Sequence, residues 1–456
     1  MKVDKIKILM KKNSKNKSQK INFKSKKVLI MGLGLHGGGV GAVKFFAKQN
    51  ARVLVTDLRT RSELKESLSK LKEFKNIKYV LGKHRVKDFK NTDLIVKNPG
   101  VPKNSKYLKI AKKHKIPINT DIGLFFEFCL SDKIIGITGT KGKSTTAALT
   151  ASILKTKYNT VLAGNIRMSV LGQLSKIKKD TVVVLELSSW QLEDFKNHKK
   201  SPHVAVITNI MQDHLNRHKN LNDYIKAKKL IFKFQNSDDL LILNNDDKIV
   251  RKFANESKSK AIFFSKLQAI NYLKYIKLLG EHNLYNISAA ITTAKIFKIP
   301  ELYIKKALKK FRGIEGRLEL VKTSKEIKYY NDTAATTPEA VIAALSSFPL
   351  RKNIILVAGG TDKNLNFTEL IKEIIKPLSK GGKIKKIILL PGTATQKILK
   401  IEPRLDAFRA KNMREAVKVA KKEAERGDVV LLSPGCASFG LFQHEFDRGK
   451  QFEDYI

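Results

Sequence analysis

A short apolar run that stops at a glycine or a polar turn recurs along this chain, and it constrains the fold more than any other feature. Val28-Leu29-Ile30-Met31 runs into Gly32, Val53-Leu54-Val55 ends at Thr56-Asp57, and Leu94-Ile95-Val96 stops before Asn98-Pro99-Gly100. The same shape returns at Ile134-Ile135, Val182–Leu185, Val204–Ile207, Ile354–Val357, Ile387–Leu390 and Val429–Leu432, with helical patterns such as Ser144–Lys155 between many of them. Apolar strands alternating with helices predict an α/β fold of parallel sheets covered on both faces. Ligands then belong at the carboxyl ends of the strands, where the unusual residues fall. A chain of 456 residues is too long for one small core. Three α/β segments are expected, 26–131, 132–311 and 312–456, preceded by a tail, 1–25.

Composition narrows the class. Hydrophobic residues make up 42%, enough to build sizeable cores. No apolar run approaches the roughly 18 residues of a membrane span. The basic N-terminus lacks the apolar stretch of a signal peptide. Cys129 and Cys436 are too few for a disulfide framework and fit a reducing compartment, so a cytoplasmic protein, expected as a monomer, is the reading. The formal net charge of +49 raises the question of a nucleic-acid partner. The lysines are spread along the chain, however, and form a dense block only before Val28. That block reads as a flexible solvated tail, and the remaining charge suits anionic small substrates better than nucleic acid.

The most informative stretch is Ile134-Ile135-Gly136-Ile137-Thr138-Gly139-Thr140-Lys141-Gly142-Lys143-Ser144-Thr145. A strand, a glycine-rich turn and a helix start follow one another, the arrangement in which backbone N–H groups and a helix N-terminus cradle phosphate. Lys143 can reach the β- and γ-phosphates, and the Ser144 or Thr145 hydroxyl can bind Mg²⁺. The strict phosphate-loop spacing would put glycine at Ile137; here the glycines stand at 136, 139 and 142. Glu186, after four apolar residues, offers the metal-binding carboxylate that such a loop needs. A carboxylate buried there requires a cation. His214 is a further candidate metal ligand.

Near the N-terminus, Gly32-Leu33-Gly34-Leu35-His36-Gly37 follows a strand and Asp57 lies about twenty residues on, which alone reads as a dinucleotide site. The same backbone geometry suits any diphosphate, and a dehydrogenase would not explain the second phosphate loop.

Taken together, these motifs resemble the Mur ligase family, and within it the members that add D-glutamate to UDP-N-acetylmuramoyl-L-alanine. The similarity runs from Lys26 to Ile456. It is carried by Gly136–Thr145, Ala163-Gly164-Asn165-Ile166, Glu186-Leu187-Ser188-Ser189 and Asn209–His214. Further on it continues through Tyr224–Lys228, Gly280–Asn286, Phe311–Arg317, Asn331–Thr336, Gly359–Lys363 and Ser433–Ser438. The resemblance implies a Rossmann-like UDP-binding domain, a central P-loop ATPase-like domain and a C-terminal Rossmann-like domain.

It also assigns residues. Gly139, Thr140, Lys141, Gly142, Lys143, Ser144, Thr145, His282, Asn283, Asn286, Arg317 and Asp332 would contact ATP. Ser144, Glu186, His214 and a carbamylated Lys228 would hold Mg²⁺, with Lys143, Glu186, His214 and Lys228 catalytic. Gly34, Leu35, His36, Asp57, Arg59, Asn98, Gly100 and Asn165 would face the UDP-linked muramyl substrate. Thr336, Lys363 and Ser438 would receive D-glutamate. The implied reaction passes through an acyl phosphate. Two departures stand out: Ala334 replaces a lysine common in that branch, and His444-Glu445-Phe446 replaces an Asn-Phe-Glu order. The alternatives are another muramyl-peptide or folyl-polyglutamate ligase and, from other classes, an NAD-dependent oxidoreductase or a nucleic-acid-binding ATPase.

Overall fold

The computed structural model describes residues 22–35, 37–102, 104–165, 169–211, 218, 220–276, 278–348 and 353–456. Two expected site residues, His36 and His214, and most of the expected tail lie outside the described residues.

Three sheets carry the fold. The first holds β1 (Lys27–Met31), β2 (Arg52–Asp57), β3 (Ile77–Leu81), β4 (Leu94–Lys97) and β5 (Ile118–Asn119), in the order β3-β2-β1-β4-β5, all parallel. The second holds β6 (Ile134–Thr138), β7 (Thr160–Gly164), β8 (Val182–Glu186), β9 (Val204–Ile207), β10 (Leu240–Asn244) and β11 (Lys260–Phe264). Its order is β11-β10-β9-β6-β8-β7, again all parallel. The third comprises β12 (Glu319–Ser324), β13 (Ile327–Asn331), β14 (Ile354–Gly359), β15 (Ile384–Leu390), β16 (Ala407–Arg409) and β17 (Val429–Leu432), in the order β12-β13-β17-β14-β15-β16. Only β12 runs antiparallel, to β13. The central strands are continuous β-branched and leucine runs because both their faces are covered; β6, β8, β9, β14 and β17 are buried throughout.

The chain forms two compact units: one reaches Asn271 and takes in Tyr285–Ala307, the other combines Tyr272–Leu284 with Leu308–Ile456. In the first, the N-terminal and central sheets share one apolar core, with Phe46, Phe125, Leu171, Leu185 and Phe195 all buried in it. The end of the expected tail belongs to this unit too, a correction to the reading of 1–25 as solvated. Phe23 sets its ring edge-on to Phe46 at 4.8 Å, because an aromatic side chain has area to bury that the lysines before it lack. Each sheet has a switch in strand order: between β1 and β4, at β6, and around β17. Parallel sheets open a crevice there, at the carboxyl ends.

Candidate active site

The loop after β6 is held open from several sides. Gly139 (φ +152°) and Gly142 (φ +81°) take backbone conformations that favour glycine, and a Cβ on either would collide with Thr208 Oγ1 or Asn286 Oδ1 respectively. Gly136 answers a different need. It sits inside β6, where a Cβ would press on Pro202 Cγ at 2.6 Å. The spacing therefore departs from the strict phosphate-loop pattern because one glycine serves packing and the other two serve the turn.

Asn209, just after β9, pins the loop: its carbonyl accepts from Thr140 N–H (2.9 Å) and its Oδ1 from Lys141 N–H (2.8 Å). Thr208 Oγ1 donates to Lys141 O (2.7 Å). The helix Lys143–Leu154 starts at once, so its first N–H groups lie at the loop with Ser144 and Thr145 in its first turn. Lys143 Nζ donates to Thr140 O (2.8 Å), folded over the same turn. Asn286 Oδ1 accepts from Thr146 Oγ1 (3.3 Å), which places Asn286 against the loop. His282 and Asn283, from the same expected motif, belong to the other compact unit. There Asn283 Nδ2 donates to Leu279 O (2.6 Å), and burial holds the His282 imidazole below its ordinary pKa.

Glu186 ends β8 and is 1% exposed. Its Oε1 accepts from Asn165 Nδ2 (2.9 Å), while Oε2 is buried with no hydrogen-bond partner among the described residues. An unmatched buried carboxylate oxygen is costly, and a hard divalent cation is the partner that carboxylate and hydroxyl oxygens suit. The donor set thus fits Mg²⁺. Asn165, expected at the substrate, is placed here as the group that orients Glu186.

Lys228, on the helix Leu221–Lys229, is 1% exposed. Its Nζ donates to Gly139 O (2.7 Å) and lies over the Tyr224 ring, 4.6 Å from the centroid. Tyr224 OH in turn donates to Thr140 Oγ1 (3.2 Å). This buried lysine at the phosphate loop stands apart from the solvated lysines around it. His218 was missed by sequence reasoning; it is buried, shares a hydrogen bond with Ser189 Oγ (3.1 Å) and packs on Tyr224. Only its nearness to the Glu-x-Ser-Ser segment in space marks it.

At the first sheet, Asp57 is buried at the end of β2. Its Oδ2 accepts from Leu33 and Gly34 N–H (2.9 and 3.1 Å) and its Oδ1 from Arg59 N–H (2.9 Å). Those two loop amides point at Asp57. The Arg59 guanidinium lies 3.7 Å from the same carboxylate and is half-exposed. Asn98 stands against Gly32, where a Cβ would sit 2.9 Å from Asn98 Cβ, and its Oδ1 accepts from Gly100 N–H (3.1 Å). Leu35 packs onto the core below.

The second unit gathers its candidates at the ends of β13, β14 and β17. Asp332 Oδ2 accepts from Ser433 Oγ (2.8 Å) and Oδ1 from Leu318 N–H (3.1 Å). Burial pushes its carboxyl up to about 7, against those bonds and the nearby charge of Arg317. Arg317 itself is exposed. Lys363 Nζ donates to Thr336 Oγ1 (3.3 Å), and burial holds that ammonium below its ordinary pKa. Ser438 is buried beyond Cys436. The two departures have defined local partners. Ala334 N–H donates to Gly316 O (2.9 Å), the residue before Arg317. His444 caps the last helix, its Nδ1 accepting from Asp447 N–H (3.0 Å), a task that asparagine also performs.

Family models match in each of the three sheet-bearing segments. The Mur ligase MurD-like N-terminal domain matches residues 26–120, the Mur ligase middle domain 137–275, and the Mur ligase glutamate ligase domain 316–436. The chain belongs to the Mur ligase family. Among relatives, the chain is 41% identical to the UDP-N-acetylmuramoylalanine–D-glutamate ligase of Roseiflexus sp. (strain RS-1), covering 94% of this chain and 98% of that one. It is 40% identical to the enzyme of the same name from Borreliella burgdorferi (strain ZS7), over 95% and 98%. The fold of this Mur ligase is similar to that of the solved UDP-N-acetylmuramate-alanine ligase of Thermotoga maritima, with a TM-score of 0.61 at 19% identity over 94% and 98% of the two chains. The family is ATP-dependent and requires magnesium. No helix among the described residues is long and apolar enough to cross a membrane.

Proposed function

We propose that this enzyme joins D-glutamate to UDP-N-acetylmuramoyl-L-alanine at the cost of ATP, an amide-forming step in peptidoglycan precursor synthesis in the cytoplasm. The observation that carries the reading is the meeting, within one unit, of a phosphate loop, Lys143 and a buried Glu186 oxygen with no hydrogen-bond partner among the described residues. Near-complete coverage by relatives of that activity supports the choice of substrates.

The residues divide the work by chemistry. Lys143 and the N–H groups at the helix start bind the ATP phosphates and offset charge on the group being transferred. Glu186, oriented by Asn165, holds Mg²⁺ with Ser144 and His214, and the metal, when bound, supplies charge neutralisation at the phosphates. Asn286 belongs to the nucleotide site of the first unit; His282, Asn283, Arg317 and Asp332, in the second, keep the ATP-contacting roles that the family resemblance implies. Arg59, Asn98 and Gly100 bind the UDP-linked substrate, with Gly34, Leu35 and His36, while Asp57 shapes their loop by accepting from the Leu33 and Gly34 amides. Lys363, Thr336 and Ser438 receive the two carboxylates of D-glutamate; a neutral amino acid would leave Lys363 without an anionic partner. The substrate carboxylate attacks the γ-phosphorus, ADP departs, and the amine of D-glutamate displaces phosphate from the acyl phosphate. Carbamylation of Lys228 belongs to this reading. Its burial removes it from competition with solvent, and a carbamate N–H can keep the bond to Gly139 O. We place the domain limits near 131 and 311, and take the enzyme to work as a monomer.

Phosphate release measured over a matrix of D-glutamate, L-glutamate, L-alanine and meso-diaminopimelate, with UDP-muramyl acceptors, tests the assignment. Activity with D-glutamate and UDP-N-acetylmuramoyl-L-alanine is expected; preference for L-alanine or diaminopimelate would overturn the substrate and spare the ligase chemistry. An oxidoreductase would instead change nicotinamide absorbance, and a nucleic-acid ATPase would respond to DNA or RNA.

A further inference from the structure

Arg448, on the helix Glu445–Tyr455, is fully buried, a costly place for a guanidinium unless its donors are satisfied. Its Nε donates to Thr333 Oγ1 (3.1 Å), Nη1 to Cys436 O (3.2 Å) and Nη2 to Thr333 O (2.9 Å). All these acceptors are neutral. Burial lowers the guanidinium to about 10, with Cys436 and Glu445 pulling it back up. Thr333 Oγ1 passes the link on by donating to Glu445 O at the start of the same helix.

The helix is seated for this reach. Phe452 lies in the core, and Gly449 lets the backbone come close to Asn331 and Thr333; a Cβ there would stand 2.7 Å from Asn331 Nδ2 and 2.8 Å from Thr333 Cγ2. Thr333 belongs to the loop after β13 and Cys436 to the loop after β17. One planar fork therefore ties the loop carrying Thr336 to the loop carrying Ser438. Lys363, bonded to Thr336, is close enough to feel the charge of Arg448.

We propose that Arg448 is a positioning residue of the amino-acid site: through Thr333 and Cys436 it sets the spacing of the Thr336 and Ser438 loops, and so the affinity for an amino acid with two carboxylates. The inference rests on the assignment of Thr336, Lys363 and Ser438 to those carboxylates. A lysine cannot substitute, because it offers a point charge where a fixed fork spans two chains.

The test is steady-state kinetics on the full-length enzyme, with KM determined separately for D-glutamate, ATP and the UDP-linked acceptor. Arg448→Lys and Arg448→Gln are expected to raise KM for D-glutamate roughly ten- to a hundredfold, as a misplaced binding group does, and to leave KM for ATP unchanged. Thr333→Val, which keeps shape and removes the Oγ1 acceptor, carries the same expectation if the Arg448 variants do not fold. Lys363→Met, run alongside, separates the two ideas. If it leaves KM for D-glutamate unchanged, the site assignment fails and this proposal with it. If Lys363→Met raises that KM while the Arg448 and Thr333 variants only lower thermal stability, or shift all three KM values together, Arg448 is structural and the proposal alone is overturned.

Discussion

Replacing Asp332 with asparagine should make the enzyme more stable and less active, with the stability gain growing as pH rises. The carboxyl is buried, and its pKa stands at about 7 in the folded protein against an ordinary value of 3.8. Between these values the folded state keeps a proton that the unfolded chain has released. Stability therefore falls as pH rises through the window and is lowest above it. At about 1.4 kcal/mol per pH unit, the carboxylate costs about 2 kcal/mol at pH 5 and about 4 kcal/mol at pH 8. Asparagine escapes this cost and can keep both bonds: its Oδ1 can accept from Leu318 N–H, and its Nδ2 can donate to Ser433 Oγ. Calorimetry of both proteins without ligands, from pH 5 to pH 8, should show the gap in Tm of the corresponding transition widening by roughly 4–8 °C. A gap that stays constant, or a variant less stable than wild type at pH 8, would refute the argument that Asp332 is held against its charge. Such destabilised acids gather at functional sites, so ligase turnover should fall in the same variant.

Other expectations follow from the first unit. Lys228→Ala should lose most activity, and a short-chain carboxylate should partly restore it if a carbamate is what was lost; intact mass of the active enzyme showing an unmodified Lys228 would sink the carbamate. Asn165→Ala strips Glu186 of its orienting donor and should raise the Mg²⁺ concentration needed for half-maximal turnover roughly 10–100-fold, with no change in KM for D-glutamate. Gly142→Ala forces a side chain into a positive-φ position against Asn286; a loss of about 1–2 kcal/mol in stability and a raised KM for ATP are expected, and a wild-type KM would show that the loop relaxes freely.

Much of the fold was legible because it is written locally. A buried parallel strand needs an unbroken apolar run, so β1, β6, β8, β9, β14 and β17 announce themselves. Two of the strands that escaped notice have mixed surroundings: β12 alternates between half-buried and exposed, and β13 carries Lys328 outward between buried neighbours. Nothing apolar and continuous marks them. Phe23 escaped for the opposite reason, a single aromatic residue outvoted by the lysines around it.

The glycine motifs illustrate where local reading stops. A glycine-rich turn after a strand announces that backbone amides are accessible; it does not say what they face. In the loop after β6 the turn is held from outside by Asn209, Thr208 and Asn286, and the helix begins immediately, so its amides remain oriented as a helix N-terminus. In the loop after β1 the same residue type leads to Leu33 and Gly34 amides that donate to Asp57, a residue of the next strand. The acid that a dinucleotide reading would set on a ribose is turned inward to shape its own loop. Asn165 and Arg448 repeat the lesson, since their partners Glu186, Thr333 and Cys436 are near only after folding. Side chains that act on ligands can be read from motif spacing, whereas side chains that aim those groups are chosen by tertiary contact. The second kind separates a phosphate loop from a look-alike.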